Sequence, residues 1–253
     1  MSRISELPTV LVTIAPPADE RAPAGRMAGE LHFGARRLGI ISGIALVALS
    51  VLYLFPLTMG LVTLASPLDP IADPWFTMME ILIILMSPLM VAFSVAIHYS
   101  ARPAVRAVTL TAAALMTISA TITGGLHFVL LTVSHVPAIA GEQWARYLLT
   151  FNWPSVPYAL DILSWDVFFA LAVLGAAFAF RGSRLAIWIR ILLIVSGALS
   201  LAGLAGVPLG DMQVRNVGVV GYALVFPVAA ALIVRNFWTS KVGVLDPTPV
   251  RHV

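Results

Sequence analysis

The sequence predicts an all-α, polytopic transmembrane helical bundle with six spans. Of the 253 residues, 60% are hydrophobic and only 11% are charged, whereas a soluble domain carries about 25% charged residues. A helix rises about 1.5 Å per residue, so crossing the hydrocarbon core takes about 20 apolar residues. Six stretches have that length and set the predicted spans: 41–62, 76–98, 106–130, 159–180, 185–206 and 216–237.

The distribution of basic residues predicts that both ends of the chain lie in the cytoplasm. If the N-terminus is inside, only Arg146 and Arg215 of the 15 Lys and Arg residues fall on the outer side. Basic residues concentrate on the cytoplasmic side of membrane proteins, and the short connections at 100–106 and 181–184 follow this rule. We therefore expect a multi-pass protein of a bacterial inner membrane with N-in, C-in topology.

Two tails are expected to flank a transmembrane domain at 38–238. Residues 1–37 are rich in Pro, Arg and Glu and contain no apolar run that resembles a signal-peptide core. Such a composition buries too little apolar surface to order the chain, so this tail is predicted to be largely disordered. Residues 239–253 form the second predicted cytoplasmic tail.

The longest outer connection is predicted to lie along the membrane surface. Within 138–153, Trp144, Tyr147 and Leu148 recur at spacings of three and one, with Phe151 three residues further on. This pattern favours an amphipathic helix whose apolar face enters the interface. Two roles are left open: an aromatic anchor at the interface, or a cover over a cavity that faces outward.

Ionisable side chains inside the predicted spans are the candidate functional groups. Hydrocarbon solvates charge poorly, so such residues pair with one another, lose their charge or line a hydrated site. The candidates for binding a proton or a substrate are Glu80, His127, Asp161, Asp166, Arg215 and Asn216. All of them fall in the outer halves of the second, third, fourth and sixth spans. The sequence therefore predicts a shared polar site near the outer surface.

Asp166 is the deepest of these groups, about 10 Å below the outer edge of its predicted span. It must be protonated, paired or next to water, and Arg215 or His127 is the expected partner. Asp161 and Asp166 are five residues apart, which separates them by about 140° around a regular α-helix. We therefore expect the two carboxyl groups to face one site only if the helix is distorted.

A polar stripe is predicted along the second span. Glu80, Ser87, Ser94 and His98 follow one another at spacings of seven, seven and four residues, which places them within about 40° on one helical face. The stripe extends through almost the whole thickness of the membrane. It therefore predicts a polar path that continues the outer site towards the cytoplasm.

No cofactor is expected. The chain has no cysteine, which excludes disulfides, zinc–thiolate sites and iron–sulfur clusters. A retinal protein needs a lysine within a span, but Lys241 lies beyond the last one. His98 and His127 lie at opposite ends of their spans, which argues against a bis-histidine haem. No phosphate-binding loop is present, so no nucleotide is expected.

Three stretches, at 75–90, 125–133 and 211–222, resemble segments of small bacterial integral membrane proteins with six spans. The resemblance covers residues 40–237 approximately. It implies a six-span topology, and it implies no activity, cofactor or site residue.

Three functions are compatible with these residues, and we favour the first. In the first hypothesis, the chain is a small carrier or a proton- or cation-coupled transport unit with an outer-facing polar site. Alternatively, it is an accessory or structural protein whose polar cluster only holds the bundle together. The third hypothesis is a metal-dependent membrane enzyme in which Glu80, His127 and an aspartate bind a divalent metal. The lipid bilayer is the expected partner, nucleic acid is not, and a homodimer or a partner membrane protein is compatible with each function.

Overall fold

The computed structural model describes residues 18–66 and 69–239 of the chain. The fold is all-α, and these residues contain no strand. Six helices are long and apolar enough to cross a membrane, which confirms the predicted number of spans and makes this a multi-pass membrane protein. The first to sixth spans are Phe33–Val62, Trp75–Ser100, Pro103–Val133, Val156–Ala179, Arg184–Leu209 and Met212–Thr239.

The helix that contains the first span begins well before it, at Ala18. The prediction that residues 1–37 are largely disordered is therefore wrong for 18–37. Nucleating a helix is costly, whereas adding residues to an existing one is not, so the apolar span supports the helical turns that precede it. Residues 1–17 and 240–253, where the two tails were predicted, lie outside the described residues.

The six spans form a closed ring. Each span packs against the next one along the chain, and the sixth returns to the first. One end of the ring carries the start of the first span and the end of the sixth, and we call it the tail end. The opposite end carries the connections after the first, third and fifth spans, and we call it the loop end.

Two glycines bring the first and sixth spans together at the tail end. A Cβ at Gly39 would lie 2.5 Å from the ring of Phe237, and one at Gly43 would lie 2.4 Å from the side chain of Val234. Arg36 adds polar contacts, because its Nε donates to the carbonyl oxygen of Phe237 at 2.6 Å. Here the absence of a side chain at both glycines is what allows the close approach.

The tail half of the ring is filled, whereas the loop half is hollow. Large apolar side chains from the second, fourth, fifth and sixth spans fill the tail half, among them Phe93, Phe169, Ile189 and Ile233, each 1% exposed or less. The loop half encloses a cavity of about 1000 Å³. The ring therefore surrounds a space that is accessible from one end and packed at the other.

Two spans depart from regular α-helix at the depth of this cavity. The fourth contains a π-helical segment, Leu163–Phe169, and the sixth contains another, Val220–Val225. A π-helix bonds each N–H to the carbonyl five residues earlier, which changes the direction of the side chains that follow, and such segments often occur at functional sites. Both segments determine which side chains reach the cavity.

The long connection before the fourth span has two parts. Two short helices, Pro137–Ala140 and Ala145–Leu148, replace the single amphipathic helix predicted there, since Gly141 follows the first of them and interrupts the apolar pattern. Trp144 is exposed, as an interfacial anchor would be. Phe151 lines the cavity. The segment therefore combines the features of both predicted roles.

Candidate functional site

The polar groups predicted to form an outer site do gather around one cavity. It lies in the loop half and is bounded by the first, second, third, fourth and sixth spans. The predicted candidates on its wall are Glu80, His127, Asp161, Arg215 and Asn216. Asp166 lies behind this wall, where it contacts Arg215. The structure thus brings all six candidates together.

Arg215 binds both aspartates of the fourth span. Its Nη2 donates to Oδ2 of Asp161 at 2.7 Å, and its Nε donates to Oδ2 of Asp166 at 3.2 Å. All three side chains are buried. Paired in this way, the charges avoid the large cost of an isolated ion in a low-dielectric medium. The predicted pairing of Asp166 with Arg215 is confirmed, and the predicted pairing with His127 is not observed.

The distortion of the fourth span explains why both aspartates reach one arginine. On a regular α-helix Asp161 and Asp166 would diverge by about 140°. The π-helical segment Leu163–Phe169 begins between them, and its wider turn brings residues five apart towards the same side. The sequence analysis required such a distortion, but it gave no sign of where it would occur.

Glycines of the fifth and sixth spans make room for this ion cluster. A Cβ at Gly218 would lie 2.6 Å from Oδ1 of Asp166, and one at Gly206 would lie 2.8 Å from the backbone nitrogen of Arg215. Oδ1 of Asp166 has no hydrogen-bond partner within the described part of the chain. Gly218 therefore allows the carboxylate to lie deep between the fourth and sixth spans.

His127 lies beside the ion cluster without being fixed by it. Its Nε2 is 3.7 Å from Oδ1 of Asp161, beyond hydrogen-bonding distance. Neither ring nitrogen has a hydrogen-bond partner among residues 18–66 and 69–239, although the side chain is only 2% exposed. Phe151 covers the ring, with centroids 5.5 Å apart. The ion cluster therefore does not fix the orientation of the imidazole.

Glu80 is the least satisfied group at the site. The side chain is 0% exposed, and neither carboxylate oxygen has a hydrogen-bond partner in the described residues. Its neighbours on the cavity wall formed by the second span are Phe76, Met79 and Ile83, which offer no compensating charge. An ionised carboxylate without a partner costs several kcal/mol in such surroundings, so this position calls for a proton or a cation.

Aromatic residues that the sequence analysis did not single out complete the wall. Tyr222 stacks on Trp165 with ring centroids 4.8 Å apart, and the indole N–H of Trp165 donates to the hydroxyl of Thr123 at 3.1 Å. The ring of Tyr158 lies 5.1 Å from the guanidinium carbon of Arg215, a cation–π contact. The sequence contained one sign that Tyr222 belongs to the site. Tyr222 follows Arg215 by seven residues and so shares its helical face.

The rest of the polar stripe on the second span lies outside the cavity. The hydroxyl of Ser87 donates to the carbonyl of Ile83 at 2.9 Å, and Nδ1 of His98 is paired with Thr109 of the third span at 2.9 Å. Neither they nor Ser94 line the cavity. Serine hydroxyls in helices commonly bond the carbonyl four residues back, which removes them from a polar path.

The described wall of the cavity carries an excess of acidic groups. Its carboxylates are Asp69, Glu80, Asp161 and Asp211, whereas Arg215 is its one guanidinium. Asp211 caps the sixth span by accepting from the N–H of Gln213 at 2.8 Å. The local potential therefore favours cations.

The metal-binding arrangement of the third hypothesis is not formed. No three His, Asp or Glu side chains are grouped closely enough to hold a metal ion within the part of the chain that the structure describes. Asp161 and Asp166 direct their oxygens at Arg215 instead.

No family model, curated protein or solved structure matches this chain.

Proposed function

We propose that this protein is a small carrier, or a proton- or cation-coupled transport unit, in a bacterial inner membrane. In this proposal the loop end faces outward and both termini are cytoplasmic, and the excess of basic residues at the tail end supports this orientation. The proposal rests above all on Glu80, a carboxylate on the cavity wall that has no partner among the described residues. A proton or a cation would supply the missing charge.

The shape of the cavity supports this role. It ends at Leu46, Met90 and Phe226, and below them the packed core closes the tail half of the ring. A carrier alternates between states that expose its site to one side at a time. A cavity that opens at the loop end and is closed at the tail end has the form of one such state.

The ion cluster at the same cavity as Glu80 supports coupling rather than simple binding. Asp161 is shared between Arg215, at 2.7 Å, and His127, at 3.7 Å. A cation bound beside Asp161 would compete with Arg215 for that carboxylate. In this way the charge state of the cavity can alter the contact between the fourth and sixth spans.

Flux through liposomes that contain the full-length protein tests the proposal. Proton uptake driven by a potassium diffusion potential is followed with a trapped pH-sensitive dye, and sodium uptake is followed with a radioactive tracer. We expect wild-type protein to accelerate at least one flux above that of protein-free liposomes, and Glu80→Gln to abolish the increase. Glu142→Gln is the matched control, because Glu142 is exposed in the loop before the fourth span and should leave the flux unchanged. Equal fluxes in wild-type and protein-free liposomes, or in wild type and Glu80→Gln, would overturn the proposal.

One observation favours the accessory role instead. Arg215 pairs with two carboxylates of the fourth span at 2.7 and 3.2 Å. Holding helices together is a sufficient role for such a cluster. This role requires that Arg215→Gln weaken the bundle while Glu80→Gln changes no flux. The flux experiment therefore separates the two functions.

A further inference from the structure

The cavity has a second opening, at the side of the ring. The first span packs closely against the part of the sixth at Phe226–Thr239, whereas the cavity separates it from the part at Met212–Val225. The glycine contacts at Gly39 and Gly43 hold the two helices together at the tail end. Towards the loop end the first span instead carries Leu57 and other bulky residues on its cavity side. The two helices consequently diverge.

Three exposed side chains mark the edges of this opening. Leu61 on the first span is 55% exposed, and Val220 and Leu224 on the sixth are 43% and 49% exposed. Each of them also lines the cavity. No other large apolar residue of the described cavity wall is exposed to this degree. Val220 and Leu224 lie well inside the sixth span, Met212–Thr239, so their edge of the opening faces acyl chains rather than water.

The cavity wall changes character with depth. Polar groups, including Glu80, Asp161 and Arg215, lie towards the loop end. The deepest part is bounded by apolar side chains, namely Leu46, Met86, Met90 and Phe226. Methionine adapts its shape readily to different apolar surfaces. The wall therefore matches a molecule with one charged group and a hydrocarbon body.

We propose that the ligand of this cavity is an amphipathic cation that enters sideways, from the membrane leaflet at the loop end, between the first and sixth spans. The inference rests on the proposed function, because it assigns a substrate class to the same site. Glu80 neutralises the positive group, which accounts for its lack of a partner in the described residues. Asp161 and Asp166 are already paired with Arg215, which leaves Glu80 as the acid of the membrane-spanning wall without a positive partner.

The size of the cavity agrees with this class. A volume of about 1000 Å³ lies at the upper end of the range of about 300–1000 Å³ found for small-molecule sites. A proton or a bare metal ion would leave most of it empty. A lipophilic amine or a quaternary cation with several apolar groups would fill it and remove the apolar wall from water.

Binding of two model cations to the detergent-purified full-length protein tests the proposal. The probes are tetraphenylphosphonium, which has a large apolar body, and tetramethylammonium, which has the same charge and little apolar surface. We expect tetraphenylphosphonium to bind at least about tenfold more tightly, because each buried apolar group adds to affinity. Glu80→Gln should weaken its binding by at least about tenfold, whereas Glu142→Gln should not. Equal affinities for the two cations, or binding that does not depend on Glu80, would overturn the inference.

The lateral route has its own test. Val220→Trp places a bulky ring at the edge of the opening. This variant should bind tetraphenylphosphonium more slowly in lipid nanodiscs, while its protein unfolds at a temperature near that of wild type. Leu171→Trp is the control, because Leu171 is 41% exposed on the fourth span and lies away from the cavity. Equal association rates in both variants would overturn the lateral route.

The outcomes also separate this inference from the proposed function. If sodium or proton flux depends on Glu80 while tetraphenylphosphonium does not bind, the transport function stands and the substrate class is wrong. If tetraphenylphosphonium binds through Glu80 while the protein accelerates no cation flux above that of protein-free liposomes, the ligand class stands and the transport function is wrong.

Discussion

The rings of Trp165 and Tyr222 stack with centroids 4.8 Å apart and an angle of 28° between their planes. Each ring belongs to a π-helical segment, one in the fourth span and one in the sixth. The two helical distortions therefore meet in a single contact beside the Asp161–Arg215–Asp166 cluster. Because both helices are irregular at this point, aromatic packing between them helps to fix the position of the charged groups.

We predict that Arg215→Gln destabilises the protein strongly. The substitution leaves Asp161 and Asp166 buried without their shared cation, and removing one partner of a buried ion pair costs about 3–5 kcal/mol. Thermal unfolding in detergent should show a large decrease in unfolding temperature. Arg146→Gln is the control, because Arg146 is exposed and stacks on its neighbour Tyr147. Similar unfolding temperatures for the two variants would show that the cluster contributes little to stability.

We predict that two Gly→Ala substitutions have opposite effects. A methyl group at Gly218 would lie 2.6 Å from Oδ1 of Asp166, whereas one at Gly125 in the third span would meet nothing within 4 Å. Gly218→Ala should destabilise by about 1–3 kcal/mol, as overpacking does. Gly125→Ala should be neutral or stabilise by up to about 1 kcal/mol, because alanine favours helix. Thermal unfolding of both variants checks this, and equal effects would contradict the tight packing at Gly218.

We predict that Thr123→Val destabilises whereas Thr121→Val does not. The hydroxyl of Thr123 accepts from the buried indole N–H of Trp165 at 3.1 Å, and a buried donor left without its acceptor costs about 1–3 kcal/mol. Thr121 is exposed and bonds only the carbonyl of Thr117 in its own helix. The unfolding temperature of each variant reports the change. A shift of similar size in both variants would argue against a specific role for the indole contact.

We predict that the two ends of the ring are labelled from opposite sides of the membrane. The chain has no cysteine, so single substitutions can be used directly. Glu142→Cys, in the loop before the fourth span, should react with a membrane-impermeant thiol reagent added to intact cells. Arg181→Cys, between the fourth and fifth spans, should react only after the membrane is opened. The reverse pattern would place the cavity mouth in the cytoplasm.

The six-span architecture could be predicted from the sequence because each span is determined by its own run of apolar residues. A run of about 20 apolar residues has one stable arrangement in hydrocarbon, since only a helix satisfies every backbone group there. The pairing of Arg215 with Asp166 followed from the same reasoning, as a buried acid needs a partner. In both cases the free-energy cost of leaving a polar group unsatisfied in hydrocarbon is large and depends on few residues, so the sequence was enough to predict the outcome.

Other features were hidden because they depend on how the helices meet. The divergence of the first and sixth spans depends on contacts such as that of Gly43 with Val234, which join residues far apart in the chain. The π-helical segments change the angular positions on which helical spacing relies. Helical spacing also does not reveal how Ser87 of the polar stripe is bonded, because a serine hydroxyl can be satisfied within its own helix.

The first span packs tightly against the sixth at Gly39 and Gly43, so this end of the helix acts as a pivot for the rest of it. Leu61 lies 18 residues beyond Gly43, or about 27 Å along the helix axis. A rotation of about 5° at the glycines would carry Leu61 through about 2 Å over that length. Slight repacking at one end can thus widen or narrow the gap at the other, and under the proposed lateral route the width of the gap would limit the size of the ligand.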